Sequence, residues 1–140
     1  MATFTSQIFE ILTLNGDNVG SSVTQTINNI NYVDNRILSV PTGSVTTLFS
    51  LDSVPGAGTF VTSSVQYIRV TNNSSVAPVK LIVSSSTEAM SFLIATGSSY
   101  MISTSKMTGS TSGLVFDDIK SVKVQPSGSA ASIEYYIVTT

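Results

Sequence analysis

Hydrophobic and polar positions alternate with a period of two along most of the chain. Val45, Thr47, Phe49 and Leu51 alternate with Ser44, Thr46, Leu48 and Ser50; Val79, Leu81 and Val83 alternate with Lys80, Ile82 and Ser84; Ile133, Tyr135 and Ile137 alternate with Ser132, Glu134 and Tyr136. Successive side chains of an extended strand point to opposite faces, so each pattern predicts a half-buried strand. β-branched and aromatic residues dominate these runs, as pleated surfaces favour. No stretch of ten residues carries a helical period. The pattern predicts strands at about 7–14, 22–28, 31–39, 44–51, 64–71, 78–84, 91–95, 99–103, 113–116, 119–125 and 131–138. The expected fold class is all-β, a single antiparallel β-sandwich or jelly-roll-like domain over residues 7–140 preceded by a short N-terminal arm, residues 1–6. Phe49, Tyr67, Leu81, Phe92 and Ile133 are the expected core between the two sheets.

Turn residues punctuate the strands at the spacing a sandwich needs. Asn15-Gly16 follows the run Ile8–Leu14 and suits the positive φ angles of a tight hairpin. Pro41-Thr42-Gly43, Pro55-Gly56-Ala57-Gly58, Asn72 to Ser75, Thr96-Gly97, Thr108-Gly109 and Pro126-Ser127-Gly128 mark further connections. Ser103 to Ser112 is rich in Ser, Thr and Gly and reads as a long exposed loop. Met1 to Ser6 is uncharged and could lie free or add to a neighbour's sheet edge. No repeat of 20–50 residues is visible, which argues against a solenoid.

Composition narrows the chemistry. The 140 residues include neither cysteine nor histidine, so thiolate and imidazole ligands, disulfides and the ordinary neutral-pH proton shuttle are all excluded. Ser and Thr occupy 43 positions and charged residues only 10%, giving a surface polar through hydroxyls and suited to wide, salt-tolerant contacts. Arg36, Arg69, Lys80, Lys106, Lys120 and Lys123 are scattered and form no phosphate-neutralising stripe, so no nucleic-acid partner is expected. No apolar run approaches the roughly 20 residues of a membrane-spanning helix, and Met1 to Gln7 does not read as a secretory signal.

Candidate catalytic and binding motifs each have a plainer explanation. Ser103-Thr104-Ser105-Lys106 matches S-x-x-K, but that motif needs the first turn of a helix and none is expected here. Asn15-Gly16-Asp17-Asn18-Val19-Gly20 echoes the start of a calcium loop, yet Val19 and Thr26 stand where oxygen ligands are required, and a hairpin turn explains it better. Asp117-Asp118 would point to opposite sides of an extended chain and cannot share a proton. Asn72-Asn73-Ser74-Ser75 contains two overlapping glycosylation sequons and reads as turn residues. Among the tyrosines, Tyr67 and Tyr135 are in phase with apolar residues, whereas Tyr136 faces the other way and with Glu134 is the one hint of a sugar contact. No catalytic residue, cofactor or metal site is expected.

From Gln66-Tyr67-Ile68-Arg69-Val70-Thr71-Asn72 through Pro78–Val83, Ser91–Tyr100 and Asp118–Val124 to Ala131–Val138, the order of segments resembles small β-sandwich virion proteins of tailed bacteriophages. The resemblance covers roughly residues 64–140 and no catalytic motif. It implies a non-enzymatic structural protein located in the virion, most simply a capsid decoration (cement) protein binding the major capsid protein. A head–tail neck or adaptor subunit, a tail-fibre subunit and a receptor-binding module are the alternatives. It also implies a homo-oligomer, a trimer by preference, with other virion proteins as partners and neither nucleic acid nor membrane.

Overall fold

A computed structural model describes residues 1–103 and 118–140. In chain order its strands are β1 (Ala2–Phe9), β2 (Thr13–Leu14), β3 (Asp17–Asn18), β4 (Ser22–Ile30), β5 (Tyr32–Val40), β6 (Thr46–Asp52), β7 (Thr59–Val61), β8 (Val65–Asn72), β9 (Val79–Ser84), β10 (Ala89–Ile94), β11 (Ser99–Ser103), β12 (Ser121–Pro126) and β13 (Ala131–Thr139), with a single 3-10 turn at Thr62–Ser64. The fold is all-β, as the alternation predicts. Among the described residues no helix is long and apolar enough to cross a membrane.

Two sheets pack face to face. One has the order β10-β9-β12-β6-β7 and the other β11-β8-β13-β5, antiparallel throughout except for the parallel pair β6–β7. Side chains of one phase fill the space between them: Phe49, Leu51, Ile68, Val70, Leu81, Val122, Ile133, Tyr135 and Ile137 are all buried. The ring of Phe49 stands edge-on to Phe60 with centroids 6.1 Å apart and lies 5.4 Å from Tyr135. Offset and edge-to-face contacts of this kind add to simple area burial.

Several expectations need correction. Phe92 is only half-buried, because β10 is an edge strand; its ring stacks on Tyr100 of β11 at 4.7 Å and closes one open side of the sandwich. Tyr67 is buried, but on the outer face of the four-stranded sheet rather than between the sheets. The short β7 was not expected. Pro55 to Gly58 reads as a plain turn, yet it brings Thr59–Val61 back alongside Ser50–Asp52. The expected strand 113–116, Lys106 and Asp117 lie outside the described residues.

The largest departure is at the N-terminus. Met1 to Ser6 is not free: Ala2–Ser6 pairs with Gln25–Ile30 of the same chain, and β1–β4 together form one long hairpin. Asn15 (φ 52°) and Gly16 (φ 90°) make the two-residue turn at its tip, in the left-handed region such turns require. Near the base, the register shifts between Ala2 and Thr3, and Asn29 (φ 61°) is the extra residue of the bulge.

Candidate interaction surface

Alternation along the hairpin gives it two unlike faces. Phe4, Ser6 and Ile8 of β1 stand opposite Ile27, Gln25 and Val23 of β4 and form the face turned toward the sandwich. The intervening positions, Thr3, Thr5, Gln7, Thr24, Thr26 and Asn28, are polar and line the other face. At the base, Phe4 and Ile27 cover Tyr67, Tyr136 and Val138 on the outer face of the four-stranded sheet. Phe4 lies 4.9 Å from Tyr67 and 5.7 Å from Tyr136, centroid to centroid. Farther along, Ile8 and Val23 reach the level of Met101 and Ser103 on β11, where the hairpin and sheet diverge into clefts of about 400 and 370 Å3. The hairpin therefore crosses the sheet from β13 toward β11.

Beyond that point no described residue covers its apolar side chains. Phe9 is 69% exposed, Ile11 76%, Leu12 55% and Leu14 57%, and Val19 and Val23 are exposed as well. The sequence offers the run Ile8–Leu14 as a half-buried strand. The structure makes it one side of a two-stranded ribbon, from the end of β1 through β2, and past Ile8 no sheet of described residues lies beneath it. Periodicity indicates which side chains share a face, not whether another layer covers that face, so these residues were missed as a contact surface. Gly20 holds the distal hairpin closed: a Cβ there would collide with the Glu10 carbonyl, whose oxygen accepts the Ser21 N–H at 3.1 Å.

The tyrosines divide differently from the expectation. Tyr136 does lie outside the main core, but the chain's own hairpin covers it, and the Arg69 guanidinium sits 5.8 Å from its ring centre. Glu134 accepts a 2.6 Å hydrogen bond from Arg69 Nη2 and a 3.5 Å contact from Asn73 Nδ2. The two residues that hinted at a sugar contact are thus engaged within the protein.

A second polar cluster lies at the opposite open side, between the edge strands β5 and β7. There the buried Asp34 accepts the Tyr135 hydroxyl at 2.9 Å, and Arg36 Nε lies 3.1 Å from each Asp34 oxygen. Burial, then the Asp34 hydrogen bond, pushes the Tyr135 hydroxyl up to about 12, and the same carboxylate raises Arg36 above its ordinary value. Tyr32, Phe60 and Pro55 line a cavity of about 320 Å3 beside this cluster. Both carboxylate oxygens are occupied by partners within the chain, which is how a buried charge is stabilised rather than how a general base is presented.

The remaining candidates are scattered. Ser103 is exposed at the end of β11, far along the chain from Asp118 in the connection before β12. Asn15 to Gly20 is the hairpin tip. Asn72 is fully buried, its amide donating to the Ala77 carbonyl at 2.8 Å, so the first sequon is a structural turn. Among the described residues, no group of three or more Asp or Glu side chains gathers as metal ligands would.

No protein-family model and no curated protein matches the chain. Among solved structures it is similar to one described as "Bacillus endospore appendages form a novel family of disulfide-linked pili", at 12% identity over 80% of this chain and 88% of that one, with a TM-score of 0.47. That likeness is too distant to bear on function.

Proposed function

We propose that this protein is a non-enzymatic structural subunit that attaches to other protein subunits through its projecting hairpin, and that it serves as a capsid decoration protein on a virus particle. The observation that carries the attachment is the uncovered apolar run Phe9, Ile11, Leu12 and Leu14 on a ribbon that stands beyond the sandwich. Large apolar side chains exposed together at one end of a ribbon mark a protein contact. The virion assignment draws on the order of segments between Gln66 and Val138. A lattice supplies many identical sites, so a modest contact repeated over a shell gives firm attachment without any cofactor.

Leu12→Ser/Leu14→Ser, made in the full chain, tests the attachment. The variant should keep the β-sheet spectrum and melting temperature of the parent but fail to co-sediment with particles stripped of this protein. Equal co-sedimentation by the folded variant would remove the hairpin from the mechanism. Hundreds of copies per particle are expected; a dozen or fewer would favour a neck or fibre subunit instead.

A further inference from the structure

The distal hairpin and the outer face of β9, β10 and β12 carry opposite charges, and among the described residues neither set forms an ion pair within the chain. Residues 1–30 contain Glu10 and Asp17 and no lysine or arginine. Both acids lie in the distal half, beside the exposed apolar run. The ion pairs among the described residues are Arg36–Asp34 and Arg69–Glu134, so these two carboxylates take part in neither.

On the outer face of the five-stranded sheet, Asp52 lies at the end of β6, but across β9, β10 and β12 the balance is reversed. Lys80 of β9 and Lys123 of β12 point away from the core, since their neighbours Val79, Leu81, Val122 and Val124 are all buried inward. Lys80 stands opposite Gln125, which places the two lysines diagonally across adjacent strands, about 7–8 Å apart at the backbone. The other outward positions on β9, β10 and β12 are hydroxyl, amide or aliphatic, with no carboxylate. Directly across from Lys80 is Leu93, 73% exposed, at a groove of about 580 Å3 that Phe92 and Pro126 help to line.

We propose that the hairpin tip of one copy docks on this lysine-bearing face of a second copy. The inference rests on reading the hairpin as an attachment device, and it names the partner. Ile11, Leu12 and Leu14 cover Leu93 and the groove beside it, while Glu10 and Asp17 face Lys80 and Lys123. One molecule cannot make the contact with itself, because its hairpin lies over the four-stranded sheet on the opposite side of the sandwich. The two surfaces differ, so the contact is either exchanged reciprocally between two copies or runs head-to-tail into a ring or an open row of subunits. Like charges set against each other would block it, which supplies a test by charge reversal.

Two full-length variants suffice, Glu10→Lys/Asp17→Lys and Lys80→Glu/Lys123→Glu, with circular dichroism to verify folding. Sedimentation velocity of the parent protein should show association that rises with concentration. Each variant alone should associate at least about tenfold more weakly, since both of its docking surfaces then carry the same sign. An equimolar mixture should regain the parental association, because each variant's hairpin matches the other's sheet face. A parent that stays monomeric up to about 1 mM, folded variants that associate as the parent does, or a mixture that fails to recover would each overturn the proposal. The outcome is separable from hairpin attachment as such: variants unchanged in self-association, alongside a Leu12→Ser/Leu14→Ser protein that no longer binds particles, would leave attachment standing and exclude the second copy as its partner.

Discussion

Phe4, three residues from the N-terminal methionine, stacks on Tyr136, four residues from Thr140, with ring centroids 5.7 Å apart and planes 28° from parallel. Together with Ile27 against Tyr67 and Val138, this contact holds the hairpin across the sheet. Phe4→Ala should release the hairpin without unfolding the sandwich. In hydrogen exchange, the amides of β1 and β4 should lose protection while those of β12 and β13 keep theirs. Uniform loss across all strands would show that the hairpin and sandwich form one cooperative unit.

Two phenylalanines separate the core from its edge. Phe49 is 1% exposed and touches both Phe60 and Tyr135, so Phe49→Ala should cost about 3–5 kcal/mol in denaturant unfolding. Phe92→Ala removes a half-buried ring at the β10 edge and should cost clearly less. Equal costs would mean that the Phe92–Tyr100 stack closes the sandwich as tightly as its centre.

Stability should fall at high pH through Tyr135. Its hydroxyl ionises near the ordinary value of 10 when unfolded but only at about 12 when folded. The folded state therefore holds the proton more tightly, its contribution is complete below pH 10, and it is lost as pH rises from 10 through about 12, at up to about 1.4 kcal/mol per pH unit. Tyr135→Phe should flatten that part of the profile. It should also cost about 1–3 kcal/mol at neutral pH by taking a hydrogen bond from the buried Asp34. A profile with the same alkaline slope in parent and variant would assign the loss to another group.

Asn72 ties together the ends of three strands. Its amide nitrogen donates to Ala77 at 2.8 Å and lies 3.3 Å from the Ile94 and Ala95 carbonyls, and its oxygen accepts the Ser74 N–H at 3.0 Å. Asn72→Ala takes this partner from the buried Ala77 carbonyl and the Ser74 N–H and should lower unfolding free energy by about 1–3 kcal/mol. A change within about 0.5 kcal/mol would show that water replaces the amide.

Alternation reveals most of the sandwich because one face of each strand meets the same dry layer. Phe49, Leu81 and Ile133 are legible on that basis, and Asn15-Gly16 marks its turn through backbone geometry alone. Tyr67 looks like inter-sheet core in sequence, yet β8 is covered at that residue on both faces, by the opposing sheet on one side and the hairpin on the other. Arg69 and Thr71 mark that outer phase as polar, but Tyr67 shares it and is buried there only because Phe4 and Ile27 cover it. Phe92 reads as deep core in sequence but is half-buried, since period says nothing about whether a strand lies at an edge. The exposed apolar run is hidden for the opposite reason: Ile11, Leu12 and Leu14 look like core in sequence, and only the absence of a layer above them among the described residues shows otherwise. The charge opposition between Glu10 and Asp17 on one surface and Lys80 and Lys123 on another becomes meaningful only once the strands have been placed.

β13 is the last strand in order yet lies in the interior of its sheet, paired with β8 on one side and β5 on the other. The hairpin needs only residues 2–30 and can zip locally as soon as they leave the ribosome, whereas β5 waits for a partner some hundred residues later. Until residues 131–139 are made, β5 and β8 face each other across an unfilled slot, with Val40, Ile68 and Val70 open to water. An incomplete chain therefore leaves the four-stranded sheet split at its middle and the hairpin without Tyr136 and Val138 beneath it, and both gaps close in one step when β13 arrives.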